Sequence, residues 1–122
     1  MKRNIEEKNG EVEMKFKVNN DIWEVKFLGA DELLALYREK ADEKASYVFG
    51  VTIRSEHVIY INGEMNKDQQ IKTLKHELTH CYIWNYGLFF VEDVNEEVIC
   101  DVVACSNDFI NEVVEKFKKE ML

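Results

Sequence analysis

Two histidines four residues apart, His76 and His80, bracket a glutamate in the segment His76-Glu77-Leu78-Thr79-His80. Residues at that spacing share one face of a helix, so the two imidazoles can converge on a single ion. Imidazole nitrogen suits Zn²⁺, with bonds of roughly 2.0–2.1 Å. Glu77 projects beside the pair and need not bind the metal. The chemistry this pattern supports is hydrolysis. Zinc acidifies a water and polarises a carbonyl; Glu77, as general base, takes the proton and passes it to the leaving amine. The bland alternative is a pair of exposed histidines on an ordinary helix. Residue frequencies produce the pattern by accident in roughly one chain of this length in several hundred. Two of the chain's three histidines lie in it, within an amphipathic segment, which favours one zinc ion per chain.

Two histidines do not complete a catalytic zinc site, which needs a third protein ligand and an open position for water. The acidic stretch Glu92-Asp93-Val94-Asn95-Glu96-Glu97 supplies candidates. Carboxylates in a first helical turn are stabilising without any metal. Asp93 and Glu96 fit a capping box, which accounts for Glu96 and leaves Glu97 over. Glu97 is therefore the expected third ligand, with Glu96 its competitor. Asp101, one turn after Glu97, is placed to orient a ligating histidine, His76 in the first instance, with a solvated Asp as the alternative.

The elements that must position these groups are readable in outline. Residues 1–10 are polar, end in Gly10 and form a loose tail; residues 11–122 form a single domain. Val12, Met14, Phe16 and Val18 alternate with polar residues, and Ile22, Trp23, Val25 and Phe27 nearly repeat the pattern beyond Asn19-Asn20-Asp21. That is a hairpin signature. After Gly29, Asp31 can cap a helix carrying Leu33, Leu34, Tyr37 and Ala41. Tyr47 to Arg54 and His57 to Asn62 read as two more strands joined around Ser55-Glu56, and Gly63 and Asn66 close the strand region. From Lys67 to about Tyr86 the spacing is helical, with Ile71, Leu74, Leu78, Cys81 and Tyr82 on one side and Gly87 where a C-terminal cap belongs. A last helix runs from about Asp93 to the end, along Val98, Val102, Cys105, Phe109, Val113 and Phe117. The expected fold is α+β: a small, mainly antiparallel sheet with the zinc-motif helix and a long C-terminal helix packed on it.

Bulk properties narrow the function classes. A net charge of −8 argues against nucleic-acid or anionic-membrane surfaces, which need clustered Lys and Arg. No run is long and apolar enough to span a bilayer, and the N-terminus has no apolar stretch to serve as a signal peptide. Cys81, Cys100 and Cys105 are odd in number and lack a framework spacing, which points to free thiols in a reducing, cytoplasmic setting. Cys81 follows the motif but is turned about 100° around the helix from His80, so it reads as a buried thiol.

His76-Glu77-x-x-His80 together with Glu97-x-x-x-Asp101 resembles the gluzincin metallopeptidases, including their thermolysin-like pattern of a helical Asn-Glu-x-x-x-Asp segment. Gly50-Val51-Thr52, Ile59-Tyr60-Ile61-Asn62, the stretch Thr73 to His80 and that from Glu97 to Ala104 are closer to compact minigluzincins and to ImmA/IrrE-like proteins of phages and mobile elements. The likeness covers about Ala45 to Ala104. It implies a zinc endopeptidase with the metal on His76, His80 and Glu97, acting on a protein or peptide substrate. Members related to ImmA act on repressors, so a regulatory protein is the implied substrate class. It also implies that the strand from His57 to Asn62 borders the cleft and can take an extended peptide by main-chain pairing. The chain departs from those relatives at Thr79, where they often have Gly, and at Asp101, where they commonly have Ala. Tyr86, Tyr82, Tyr60 and His57 are candidate donors to the oxyanion, each with an ordinary packing role as its alternative. The competing function is a zinc-binding, catalytically weak or inactive interaction protein that blocks or sequesters a partner. A metal-free, helix-rich structural protein is a third reading and requires the motif to be accidental.

Overall fold

The computed structural model describes residues 13–86 and 96–122. Strands β1 (Glu13–Val18) and β2 (Asp21–Leu28) pair antiparallel, with Phe16 opposite Trp23. Asn19 and Asn20 make the connection with φ of 47° and 71°. Two consecutive residues at positive φ match the right-handed twist of the flanking strands, and Asn tolerates that region better than most side chains. The hairpin read from alternation is therefore present, turn included.

Helix α1 (Ala30–Lys40) begins from Gly29, which makes no side-chain capping bond. Asp31 does not cap it, as the sequence suggested, but lies in the first turn with Glu32, where carboxylates favour the positive end of the helix. Strand β3 is shorter than expected, Gly50–Ile53, and a single 3₁₀ turn (Arg54–Glu56) leads to β4 (Val58–Asn62). His57 lies at the end of that turn with φ 52°, outside the strand it was expected to open.

The sheet order is β1-β2-β4-β3. The two sequence-local pairs are antiparallel, while β2 and β4 run parallel, Val25 beside Ile59 and Phe27 beside Ile61. The sheet is thus mixed, and β4 is bonded on both sides. A peptide cannot add to β4, contrary to the sequence reading; among the described strands the free edge nearest the motif helix belongs to β3.

Helix α2 (Lys67–Asn85) starts where Asn66 accepts a hydrogen bond from the Gln69 amide at 2.8 Å, a cap worth about 1 kcal/mol. Its C-terminal cap is Tyr86; Gly87 lies outside the described residues. Helix α3 (Glu96–Met121) closes the chain, and the expected start near Asp93 also lies outside the described residues. Met14, Phe16, Trp23, Val25, Phe27, Ile59 and Ile61 share one core with Leu74, Leu78 and Cys81 of α2 and with Val113, Val114, Phe117 and Met121 of α3. Each fully buried leucine of α2 contributes about 1.5–3 kcal/mol relative to exposure.

The face expected for α3 holds only near its C-terminus. Cys105 is exposed, and the buried stripe passes through Ser106, Val113, Val114, Phe117 and Met121. Each step of four residues overshoots a helical turn by about 40°, so Cys105 sits about 120° around from Phe117. No described helix is long and apolar enough to cross a membrane.

Candidate functional site

Helix α2 presents three stripes with different jobs. Leu74, Leu78 and Cys81 are fully buried and fasten the helix to the sheet. Gln70, Thr73 and Glu77 are also buried; Thr73 and Glu77 meet β3, while Gln70 donates to the Asn62 and Gly63 carbonyls at the end of β4. His76 and His80 are exposed. Period 3.6 alone yields this separation, since a residue one step from a core position is rotated by about 100°.

The two imidazoles lie side by side with ring centroids 4.9 Å apart, inclined at 78°. His80 also stacks on Trp84, centroids 5.6 Å apart, which supports its ring from the C-terminal side. Both rings are open to solvent on one helix face. Imidazole is a usual ligand for zinc, so the pair offers two candidate donors.

Glu77 is 7% exposed, low for a carboxylate. Its Oε1 accepts a hydrogen bond of 2.7 Å from the Thr52 hydroxyl on β3. Thr52 lies opposite Ile59 in the sheet register, so its side chain is on the helix-facing side, where it meets Glu77. The approach of β3 to α2 depends on Gly50. A Cβ there would stand 2.7 Å from Thr73 Cγ2 and 3.0 Å from the Tyr60 carbonyl oxygen.

A cleft of about 570 Å³ opens beside Glu77 and His76, walled by Tyr37, Tyr47, Phe49 and Lys72 among others. Tyr47 and Phe49 meet edge to face with centroids 5.0 Å apart and stay about half exposed. Asn62, itself buried, donates to the Tyr47 hydroxyl at 3.3 Å and to the Val48 carbonyl at 3.4 Å, anchoring this wall to the end of β4.

Glu97 is not gathered with the two histidines. Among the described residues no group of three or more His, Cys, Asp or Glu side chains is gathered into a metal site. Glu97 is exposed in the first turn of α3. Glu96 opens that helix and Asp101 follows in its second turn; their side chains are outside the described set, as is Asp93. The third ligand therefore rests on the sequence pattern.

None of the four candidate oxyanion donors lines the cleft. Tyr60 alternates to the sheet face opposite Glu77, over Lys26. His57 stacks flat on Trp23, with centroids 4.8 Å apart. Tyr82 packs against Phe109 of α3 and against Tyr86, and burial pushes its phenol above the ordinary value. Tyr86 is half exposed beyond it. Cys81 is a buried thiol, as expected, pushed up to about 12 by burial.

Thr52, Gly50 and Tyr47 were not picked out as site residues from the sequence. Only Gly50 carried a local signal, a glycine opening a short apolar strand, where glycine often marks close approach of another backbone. No family model matches the chain, and neither a curated protein nor a solved structure does.

Proposed function

We propose that this chain is a cytoplasmic, zinc-dependent endopeptidase that hydrolyses a peptide bond in a protein substrate, a regulatory protein by the resemblance noted above. The observation that carries the reading is the buried carboxylate of Glu77 at the wall of the cleft, next to the exposed pair His76 and His80. His76 and His80 would hold the metal, with Glu97 as the third ligand. Zinc, when bound, supplies a Lewis acid for the substrate carbonyl and lowers the pKa of water.

The remaining work falls to the chain's own residues. An extended substrate pairs with the outer edge of β3, the free edge beside α2, and places its scissile bond along the cleft. Thr52 occupies Oε1 of Glu77, which leaves Oε2 to take the proton from the attacking water. The same carboxyl then delivers that proton to the amine nitrogen as the C–N bond breaks. In place of the donors that face elsewhere we assign Tyr47, on the cleft wall, whose hydroxyl accepts from Asn62 and keeps its own proton to donate.

The purified chain is expected to hold about one zinc, lost in His76→Ala and in Glu97→Ala but kept in Glu96→Ala. Glu77→Gln is expected to keep zinc while cleavage of an unfolded protein such as casein drops by about 10²–10⁴-fold. Undiminished cleavage by that variant would sink the assignment. The second reading, a zinc-binding protein that sequesters a partner, is favoured by the absence of Tyr60, Tyr82, Tyr86 and His57 from the cleft wall. It predicts biological activity that survives Glu77→Gln.

A further inference from the structure

We infer that Thr52 is a positioning residue for the general base, tying the Glu77 carboxylate to the strand along which substrate lies; this rests on the endopeptidase reading above. A glutamate side chain has three rotatable bonds, and ordering it costs free energy unless something fixes the carboxyl group. Here the Thr52 hydroxyl donates to Oε1 at 2.7 Å, a short bond across elements 25 residues apart in sequence. The same hydroxyl lies 3.4 Å from the Glu77 carbonyl oxygen, so the bond is made close against the helix backbone.

The donor is itself fixed. Thr52 is β-branched, and its strand is held by pairing to β4, Thr52 opposite Ile59. Gly50, two residues earlier on the same face, lets β3 approach α2 closely, with Glu77 Cγ at 3.5 Å from where a Cβ would stand. Thr73 and Leu78 are buried on either side of Glu77 along α2. One oxygen is therefore committed to the sheet, and the orientation of the other is set by the edge strand. Peptide seating on β3 and the aim of the base become a single mechanical unit. Held within about 0.5 Å, a catalytic group retains its rate advantage; loosened by about 1 Å, it loses up to about 100-fold.

The test uses the full chain with Thr52→Val, which keeps the shape and removes the hydroxyl, and Thr52→Ser, which keeps the hydroxyl. Cleavage of casein-derived fluorogenic peptides gives kcat and KM, zinc content is measured alongside, and a double-mutant cycle of Thr52→Val with Glu77→Ala is read as urea midpoints. The expected result is a 10- to 100-fold fall in kcat for Thr52→Val, from the order of effect just given, with KM within about twofold, zinc unchanged, recovery in Thr52→Ser and non-additive midpoint shifts. A Thr52→Val enzyme with wild-type kcat, or strictly additive midpoints, would overturn the positioning role while leaving the peptidase reading intact. A wild-type chain that binds zinc but cleaves nothing would overturn both.

Discussion

At the scale of the residue, the site turns on a carboxylate taken most of the way out of water. Burying an ionised group without a partner is costly, and the Thr52 hydroxyl is the partner at Glu77. The next buried titratable group along the helix is Cys81. Its thiol is pushed up to about 12 by burial, and among the described residues Asn85 lies within hydrogen-bonding reach, at 3.6 Å. Cys100 and Cys105 are exposed. Iodoacetamide at pH 8 is therefore expected to alkylate two thiols per native chain and the third only after denaturation, as counted by intact mass. The pH dependence follows from the raised value. Below about 9 the thiol is protonated in folded and unfolded chains alike; above it the unfolded thiol ionises while the folded one resists. Stability should fall from about pH 9 toward 12, with a smaller slope in Cys81→Ala. Part of the slope remains in that variant because burial also raises the Tyr82 phenol.

At the scale of the element, the contact between β3 and α2 is the joint that makes the site, and Gly50 is its narrowest point. Gly50→Ala places a methyl 2.7 Å from Thr73 Cγ2 and 3.0 Å from a main-chain oxygen that cannot retreat without disturbing β4. Overpacking of this kind costs about 1–3 kcal/mol, readable as a lower urea midpoint. An unchanged midpoint would mean that the helix slides aside freely. The elements themselves were legible to different degrees. Helix α2 and its histidine face follow from period 3.6, and the first hairpin from period two with Asn19-Asn20 at its tip. The partnership of β2 with β4 could not be read, because it joins strands separated by a whole helix and leaves no local pattern. The resemblance implied that β4 takes the peptide, and the pairing with β2 occupies the edge it would need. The tie between Thr52 and Glu77 was hidden for the same reason, a threonine in a strand being unremarkable until its neighbour is known.

At the scale of the whole molecule, one core joins the sheet to both long helices, and Phe117 lies near its centre, edge-on to Phe27 with centroids 5.9 Å apart. Phe117→Ala should cost about 3–5 kcal/mol. Against a total of about 5–15 kcal/mol for a domain of this kind, that is a large share. A cooperative loss of about 10–25 °C in Tm is expected, with the helix signal and the zinc affinity falling in one transition. A variant that lost only the α3 signal would show the C-terminal helix to be an independent unit. The fold class was open to inspection at this scale because burial periodicities add up over long segments. Glu97 as third ligand is carried by its spacing in the sequence alone, since the segment leading into α3 lies outside the described residues.

The mixed sheet has a consequence for how the chain reaches this structure. It is two local hairpins zipped along one parallel seam, from Glu24 beside Val58 to Leu28 beside Asn62. Each hairpin closes over a few residues, whereas the seam closes a loop of about 34 residues, at an entropic cost of about 3 kcal/mol. That cost is offset only when Val25, Phe27, Ile59 and Ile61 bury one another, so pairing at the seam and formation of the core are one event. His76, Glu77, His80 and Thr52 all follow α1 in the chain, on the β3–β4 side of that seam. The N-terminal hairpin supplies the other half of the core that holds them, and none of its described residues lines the cleft.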